Sequence, residues 1–283
     1  GRSRRASRSG WSPREPATRQ WSAGPHSAGF DVRPDLGPVG EVDGAAWRSV
    51  LGLADDERPS AVVVEGTWWR EDHTRRRLAR LESVRELGIP DVFLGSSAGR
   101  SLLYACPYGA PRTAEVVQVA ALIGARLAIQ IGSCGVVGAG VRPGDVVVPT
   151  VALGLDGTTA LYSTDARVAA SEEWCARAAA TLERRGVPAH RGPSVTWPTL
   201  FNQPLGHARE WAEQGYLGVD METATTLAVA RAFGAAAVSM LVAWDEVLSE
   251  RSFLDRLPAE QQAAFERAED EIYEVALGLV SEV

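Results

Sequence analysis

The sequence predicts an α/β fold, in which a buried β-sheet carries helices on its faces. Three observations predict it. Residues 235–243, AAAVSMLVA, are nearly all apolar, as a strand covered on both faces must be. Two further short apolar runs, AVVVE at 61–65 and LAIQI at 127–131, each end at a glycine. Finally, residues 218–247 read as strand, acidic turn, helix, strand and then a second acid. In an open α/β sheet, ligands bind at the carboxyl ends of the strands. Asp220 and Glu222 at one such end, and Asp245 at another, are joined by one crossover helix and are expected to face one crevice.

Composition narrows the possibilities. The 283 residues suffice for one large α/β domain or two small ones. A net charge of −7 and a pI near 5.3 argue against a nucleic-acid partner. All 29 basic side chains are arginine, which excludes a Schiff-base lysine. Cys106, Cys134 and Cys175 are widely spaced and give neither a disulfide framework nor a zinc pattern. They are expected to be small buried residues in a reducing cytosol. No apolar run approaches the roughly 20 residues that cross a bilayer. The basic N-terminus lacks the apolar core of a secretory signal. A cytoplasmic protein without membrane contact and without a metal is expected.

Residues 1–40 are rich in Arg, Ser and Pro, with no helical or strand period. They are expected to form a disordered or extended arm, either solvated or touching a neighbouring subunit or a nucleic acid. Residues 41–283 form the expected domain, with a short helix over 45–53 and the packed core starting at Ser60. After the first strand come Gly66-Thr67-Trp68-Trp69-Arg70 and a charged helix expected over 71–87. Residues 91–94 and 101–105 read as the arms of a hairpin around Ser96-Ser97-Ala98-Gly99. A loop at 107–111 leads into a helix over 112–124. The strand from 127 ends in Gly132-Ser133-Cys134-Gly135, and the Pro143-Gly144 turn precedes a strand over 145–149.

Residues 150–167, rich in Gly and Thr, are expected to be a loop. An amphipathic helix over 171–185 is expected to be capped by Ser171, with Glu172 and Glu173 in its first turn. A strand to about 195, an aromatic loop over 196–203 and a short helix over 207–214 follow. The crossover helix is expected to stop at Gly234. A charged segment, 246–257, precedes an amphipathic helix over 258–279 that covers the sheet.

Chemistry-bearing residues gather at the strand ends. A strand, a glycine and an arginine at a helix start make a plausible anion site. Glycine lets backbone N–H groups approach, and the helix N-terminus favours negative charge. Gly66 and Arg70 stand in that order. Ser133 can offer both its N–H and its hydroxyl to an oxyanion. Each also has a plain structural reading. GSCG can be an ordinary turn, Met221 can be core, and Glu222 can be a first-turn acid facing the helix dipole. Trp197 and Phe201 can pack on the adjacent helix.

Taken together, Asp220-Met221-Glu222, the helix, the buried strand and Asp245 resemble the C-terminal signature of the nucleoside phosphorylase superfamily. That superfamily includes purine nucleoside phosphorylases, uridine phosphorylases and related nucleosidases. GSCG followed by GDVVVP resembles the phosphate loop and next strand of the bacterial purine enzymes. METAT resembles the matching run of uridine phosphorylases. The resemblance covers about residues 60–283. It implies a single-domain three-layer sandwich with a central mixed, partly barrel-like sheet flanked by helices. It also implies cleavage of a nucleoside's N-glycosidic bond by inorganic phosphate as co-substrate, with no other cofactor, giving free base and sugar 1-phosphate. The alternatives are a hydrolytic nucleosidase and a nucleoside-binding protein without turnover. A homo-oligomer, dimer or hexamer, is implied as well.

The resemblance implies roles residue by residue. Glu222 would accept hydrogen bonds from two sugar hydroxyls, with Met221 and Asp220 assisting. Asp245 would protonate or steady the leaving base, a role that needs a carboxyl with raised pKa. Gly66, Arg70 and Ser133 would hold phosphate, together with Gln130 and an Arg85 supplied across a dimer. Trp197, Phe201, Gln203 and Trp244 would meet the base. Three positions depart from the family pattern. Gln130 stands where an arginine usually clamps phosphate, Trp244 where a serine precedes the aspartate, and Gln261 where an arginine assists it. Trp68-Trp69 replaces smaller residues. A charged hydrogen bond to phosphate is worth roughly 1.5–3 kcal/mol, and a neutral amide gives less, so weakened phosphate affinity is expected. Asp245 points toward purines, whereas METAT and Gln203 lean toward pyrimidines.

Overall fold

The computed structural model describes residues 43–249 and 255–283. The expected N-terminal arm and part of the charged segment after Asp245 lie outside the described residues. Helix α1, Gly44–Leu51, opens where the Asp43 carboxylate accepts the Ala46 N–H at 2.8 Å. It closes at Gly52, whose φ of 66° is the left-handed value that favours glycine.

Ten strands among the described residues share one sheet. They are β1 Ala61–Gly66, β2 Glu82–Glu86, β3 Val92–Ser97, β4 Arg100–Ala105, β5 Leu127–Val136, β6 Val146–Gly154, β7 Arg167–Ala169, β8 Ala189–Thr196, β9 Gly218–Asp220 and β10 Ala236–Glu246. Strand order is β10-β6-β8-β9-β5-β1-β4-β3-β2, with β7 on β6. Strand β10 also pairs with β5. That pairing closes β5, β10, β6, β8 and β9 into a ring, so one half of the sheet is barrel-like and the other open. The sheet is mixed: β5 runs parallel to β1 and β10 and antiparallel to β9.

The period-two alternation of strand side chains sets the layers. Val63, Ile129, Ile131, Val238 and Met240 face helices α4, Glu172–Arg184, and α7, Ala259–Ser281. Val62, Val64, Leu103 and Ala128 face helices α3, Ala110–Leu122, and α6, Thr223–Ala232. Inside the barrel half, Cys134, Val136, Val147, Leu241 and Ala243 pack together. Helix α5, Leu205–Glu213, lays Ala208 and Trp211 against Val195 and Val219. The three-layer sandwich and partly closed sheet agree with the expected fold.

Two local expectations are corrected. The charged helix does not run to 87. Helix α2 spans Arg70–Leu78, and residues 82–86 form the edge strand β2, antiparallel to β3. Four of its five side chains are exposed, so hydrophobic periodicity could not reveal it. Its ladder partner, distant in sequence, decides the backbone. Similarly, 150–167 is not all loop. Strand β6 continues to Gly154, a 3₁₀ turn covers Thr159–Leu161, and β7 begins at Arg167. Ser171 does stand at the N-cap of α4, but makes no side-chain capping bond.

A buried charge network pins α2 to the sheet through His73 and Arg77. Glu65 at the end of β1 accepts from Arg77 at 2.9 Å and from Tyr104 Oη at 2.6 Å, and lies 2.8 Å from His73 Nδ1. The Arg77 guanidinium lies 4.9 Å from the centre of the Tyr273 ring on α7. Burial works to raise the Glu65 carboxyl, but His73 and Arg77 outweigh it and hold the pKa down to about 2.

Candidate active site

One cleft opens where the ends of β1, β5, β9 and β10 converge. Gly66 comes from the end of β1 and Thr67 from just after it, Ser133 to Gly135 from β5, Val219 and Asp220 from β9, and Trp244 and Asp245 from β10. Met221 and Glu222 close it from the entry to α6, and Trp68, Tyr108, Leu200 and Gln203 from loops. Register explains the meeting. Gly66 lies beside Gly132, and Ala243 beside Cys134. The β5–β10 pairing shifts between Ala243 and Asp245, leaving Trp244 as the extra residue of a bulge. A bulge re-aims the side chains that follow it. Consecutive Trp244 and Asp245 therefore both reach the cleft wall.

The acid pair is built into the strand-to-helix turn. Asp220 accepts from Thr196 Oγ1 at 2.8 Å, Thr223 Oγ1 at 2.5 Å and the Thr223 N–H at 2.8 Å. Glu222 accepts the Gly109 N–H at 2.7 Å. Gly109 offers that N–H from a backbone with φ of 86°, which glycine adopts without strain. Burial pushes both carboxyls up. The charge of Asp220 pushes Glu222 further, while the threonine and backbone hydrogen bonds offset part of the rise at Asp220. Burial and the neighbouring charge of Asp220 thus favour the protonated form of Glu222.

Gln130 lies under the cleft floor. Its Oε1 accepts from Thr223 Oγ1 at 3.0 Å and its Nε2 donates to the Ile131 carbonyl at 3.3 Å. It is fully buried and ties β5 to the acid-bearing turn. Half-buried Ser133 lines the cleft above it. Cys134 is pushed well above the usual thiol range by burial and by the charges of Asp220 and Asp245. It stays a protonated thiol between the two acids. Among the described residues, no group of three or more His, Cys, Asp or Glu side chains could hold a metal ion.

The remaining sequence candidates are dispersed. The Arg70 guanidinium donates from Nε to the Cys106 carbonyl at 2.8 Å and from Nη2 to Asp91 at 2.9 Å. It borders an opening beside the cleft together with Tyr108, Phe201 and Met221. Arg85 sits on the edge strand, bound to Glu57 at 2.5 Å and to the Gly52 carbonyl at 3.1 Å, outside the cleft lining. Trp197 turns onto α5, with ring centres 5.6 Å from both His207 and Trp211, and its Nε1 donates to the Asn202 carbonyl at 2.7 Å. Phe201 stands at the mouth, its ring edge-on to Trp68 at 5.3 Å. Gln203 lines the cleft, and Gln261 lies in the first turn of α7.

Several residues that shape this site carry no signal of their own in the sequence. Tyr108 forms an edge-on pair at 6.1 Å across the mouth with Trp68, which the sequence marks only as a departure from the family pattern. Thr196 also accepts the Ala224 N–H at 2.8 Å, fixing the first turn of α6. Thr223 bridges Asp220 and Gln130. The METAT run placed a threonine next to Glu222, but its partners come from distant strands and only the fold reveals them.

Comparison with known proteins follows this geometry. The model of the family described as the phosphorylase superfamily matches residues 70–281. A purine nucleoside phosphorylase, DeoD-type, of Myxococcus xanthus DK1622 is 32% identical over 157 residues, covering 54% of this chain and 62% of that protein. A guanosine phosphorylase of Halorubrum lacusprofundi is 28% identical over 127 residues, covering 44% and 53% respectively. The chain's matches thus span between about half and three fifths of these relatives. A crystal structure of uridine phosphorylase from Vibrio fischeri ES114 superimposes with a TM-score of 0.70 at 21% identity, covering 82% of this chain and 95% of that one. This likeness establishes the fold. With a family model matched from α2 to the end of α7, the chain belongs to the phosphorylase superfamily.

Proposed function

We propose that this chain cleaves the N-glycosidic bond of a nucleoside with inorganic phosphate as nucleophile, releasing the free base and a sugar 1-phosphate. The observation that carries the reading is that Ser133, Glu222 and Asp245 border one cleft with a glycine floor at Gly66. A phosphate oxygen attacks C1′ as the bond to the base breaks, through an oxocarbenium-like transition state. The electron pair stays on the departing base nitrogen, and Asp245 donates or shares the proton that neutralises it. Glu222 and the Met221 backbone hold the sugar hydroxyls, with Asp220 fixing Glu222 through the turn. Gly66 and Ser133 hold the phosphate, and Arg70 joins them by leaving Asp91. Gln203, Trp244 and Phe201 meet the base. Trp197 supports the loop that carries Phe201 and Gln203.

Arg85 is more remote and joins a phosphate site only across a second copy of the chain. The family resemblance supports a homo-oligomer, a dimer or hexamer. Three buried free cysteines support a reducing, cytoplasmic setting. Phosphate is the only co-substrate of this reaction and no organic cofactor takes part. The net charge of −7 disfavours a nucleic-acid partner.

A second reading, hydrolysis by water on the same cleft, is favoured by the anchoring of Gln130 and by the engagement of Arg70 with Asp91. Retention of the pocket without turnover is the third. A purine and pyrimidine nucleoside panel, followed by base release across a phosphate titration, separates them. Phosphorolysis requires saturable dependence on phosphate. Release at full rate without phosphate supports hydrolysis, and tight binding without release supports a binding protein.

A further inference from the structure

A second cavity adjoins the cleft and shares three walls with it, Trp68, Leu200 and Trp244. Its far side is formed by Trp69, Phe265 and Leu257, between the turn after β1 and the start of α7. The aromatic rings interlock. Trp69 and Trp244 lie 5.0 Å apart, Trp244 and Phe265 5.7 Å. Trp68 and Trp69 nevertheless remain 48% and 51% exposed, more apolar surface than a self-contained loop needs to show.

Rim charges are of both signs, with Arg75, Arg76 and Arg256 beside Asp72, Asp255, Glu266 and Glu269: Arg75 pairs with Asp72 at 2.5 Å, and Arg76 approaches Glu269 at 3.7 Å. Gln262 is bonded to Glu266 at 2.8 Å. Such a rim offers little to an anion, whereas flat indole and phenyl walls suit an uncharged planar group. Trp244, the residue before Asp245, is a wall common to the cleft and this cavity. A base held against Asp245 would therefore sit beside that shared wall, with the cavity on its other side.

We propose that this cavity is a subsite for a large, uncharged, planar substituent on the outer edge of the nucleobase, so that the chain prefers base-modified nucleosides to unsubstituted ones. The inference rests on the reading that the base lies at Asp245. Adenosine and N6-benzyladenosine form a matched pair of probes. With saturating phosphate, the benzylated nucleoside should show kcat/KM at least about tenfold higher, within the range that apolar pocket contacts discriminate. Trp69→Ala removes one wall and Gln262→Trp fills the space. Each should bring the ratio back toward one while adenosine turnover stays within about twofold of wild type. Equal or lower kcat/KM for the benzylated compound in the wild type overturns the subsite. If neither nucleoside is cleaved, adenosine is not the substrate, the nucleoside panel tests phosphorolysis separately, and calorimetric Kd values decide the subsite independently. Tighter binding of the benzylated compound, lost in both variants, supports it; equal binding overturns it.

Discussion

The Glu222 carboxylate fills the space that a side chain at position 66 would need. A Cβ built on Gly66 would lie 2.5 Å from Glu222 Oε2. The glycine that ends β1 therefore does more than let an anion approach. It admits the Glu222 carboxyl to the cleft from a strand-to-helix turn more than 150 residues later in the chain.

Gly66→Ala is expected to fold, because the atom it meets is the end of a side chain, but to push Glu222 off its Gly109 hydrogen bond. A shift of about 1 Å in a positioning group can cost roughly a hundredfold in rate. Steady-state kinetics should show kcat/KM for nucleoside down by at least about that factor, with a melting temperature close to wild type.

Glu222→Gln should lower turnover by about a hundredfold or more and should change how stability depends on pH. Burial and Asp220 raise the Glu222 pKa in the folded chain above its value of about 4.5 in the unfolded one. In the window between those two values the folded state binds more protons, so stability falls as pH rises from about 4.5 toward neutrality and beyond. The amide abolishes that fall. Thermal melts should show the variant gaining on wild type as pH rises from 5 to 9. A constant difference across that range would remove Glu222 from the buried pair.

Glu65 has the opposite sign. Its folded pKa is held down to about 2, so its contribution is fully present above the unfolded carboxylate pKa and is lost as pH falls from about 4.5 through about 2. Arg77→Met leaves the carboxylate buried without its guanidinium, which should cost about 3–5 kcal/mol. Denaturant unfolding at pH 7 checks the loss. The gap to wild type should narrow at pH 3, where Glu65 in the variant takes up a proton.

Much of this site was legible because its chemistry sits at element ends marked by glycine. The apolar run ending at Gly66 and the GSCG turn of β5 located one wall of the cleft. The acid-Met-Glu triplet and Asp245 located the opposite wall, and the structure brings both to one cleft. Contacts made across the fold were not legible. Nothing local tells that the Gly109 N–H serves Glu222, that Gln130 is anchored to Thr223, or that Trp197 turns onto α5. The edge strand β2 was hidden for the same reason. Its exposed, charged residues read as a continued helix until β3 supplies hydrogen-bond partners.

Arg70 is engaged by Asp91, and on the proposed reading phosphate competes for it. Losing one charged hydrogen bond to phosphate corresponds to roughly 10–100-fold. Arg70→Ala should raise KM for phosphate by that order with little change in nucleoside KM. Asp91→Asn, which weakens the competing pair, should leave phosphate KM unchanged or lower. A phosphate KM indifferent to Arg70→Ala would exclude this arginine from the anion site.

The most direct measurement is a ³¹P NMR record of the wild-type protein with nucleoside and inorganic phosphate. Base release should be matched one for one by growth of a sugar 1-phosphate resonance at the expense of inorganic phosphate, and both should vanish in Asp245→Asn. Base release with the inorganic phosphate signal unchanged would contradict phosphorolysis at this cleft.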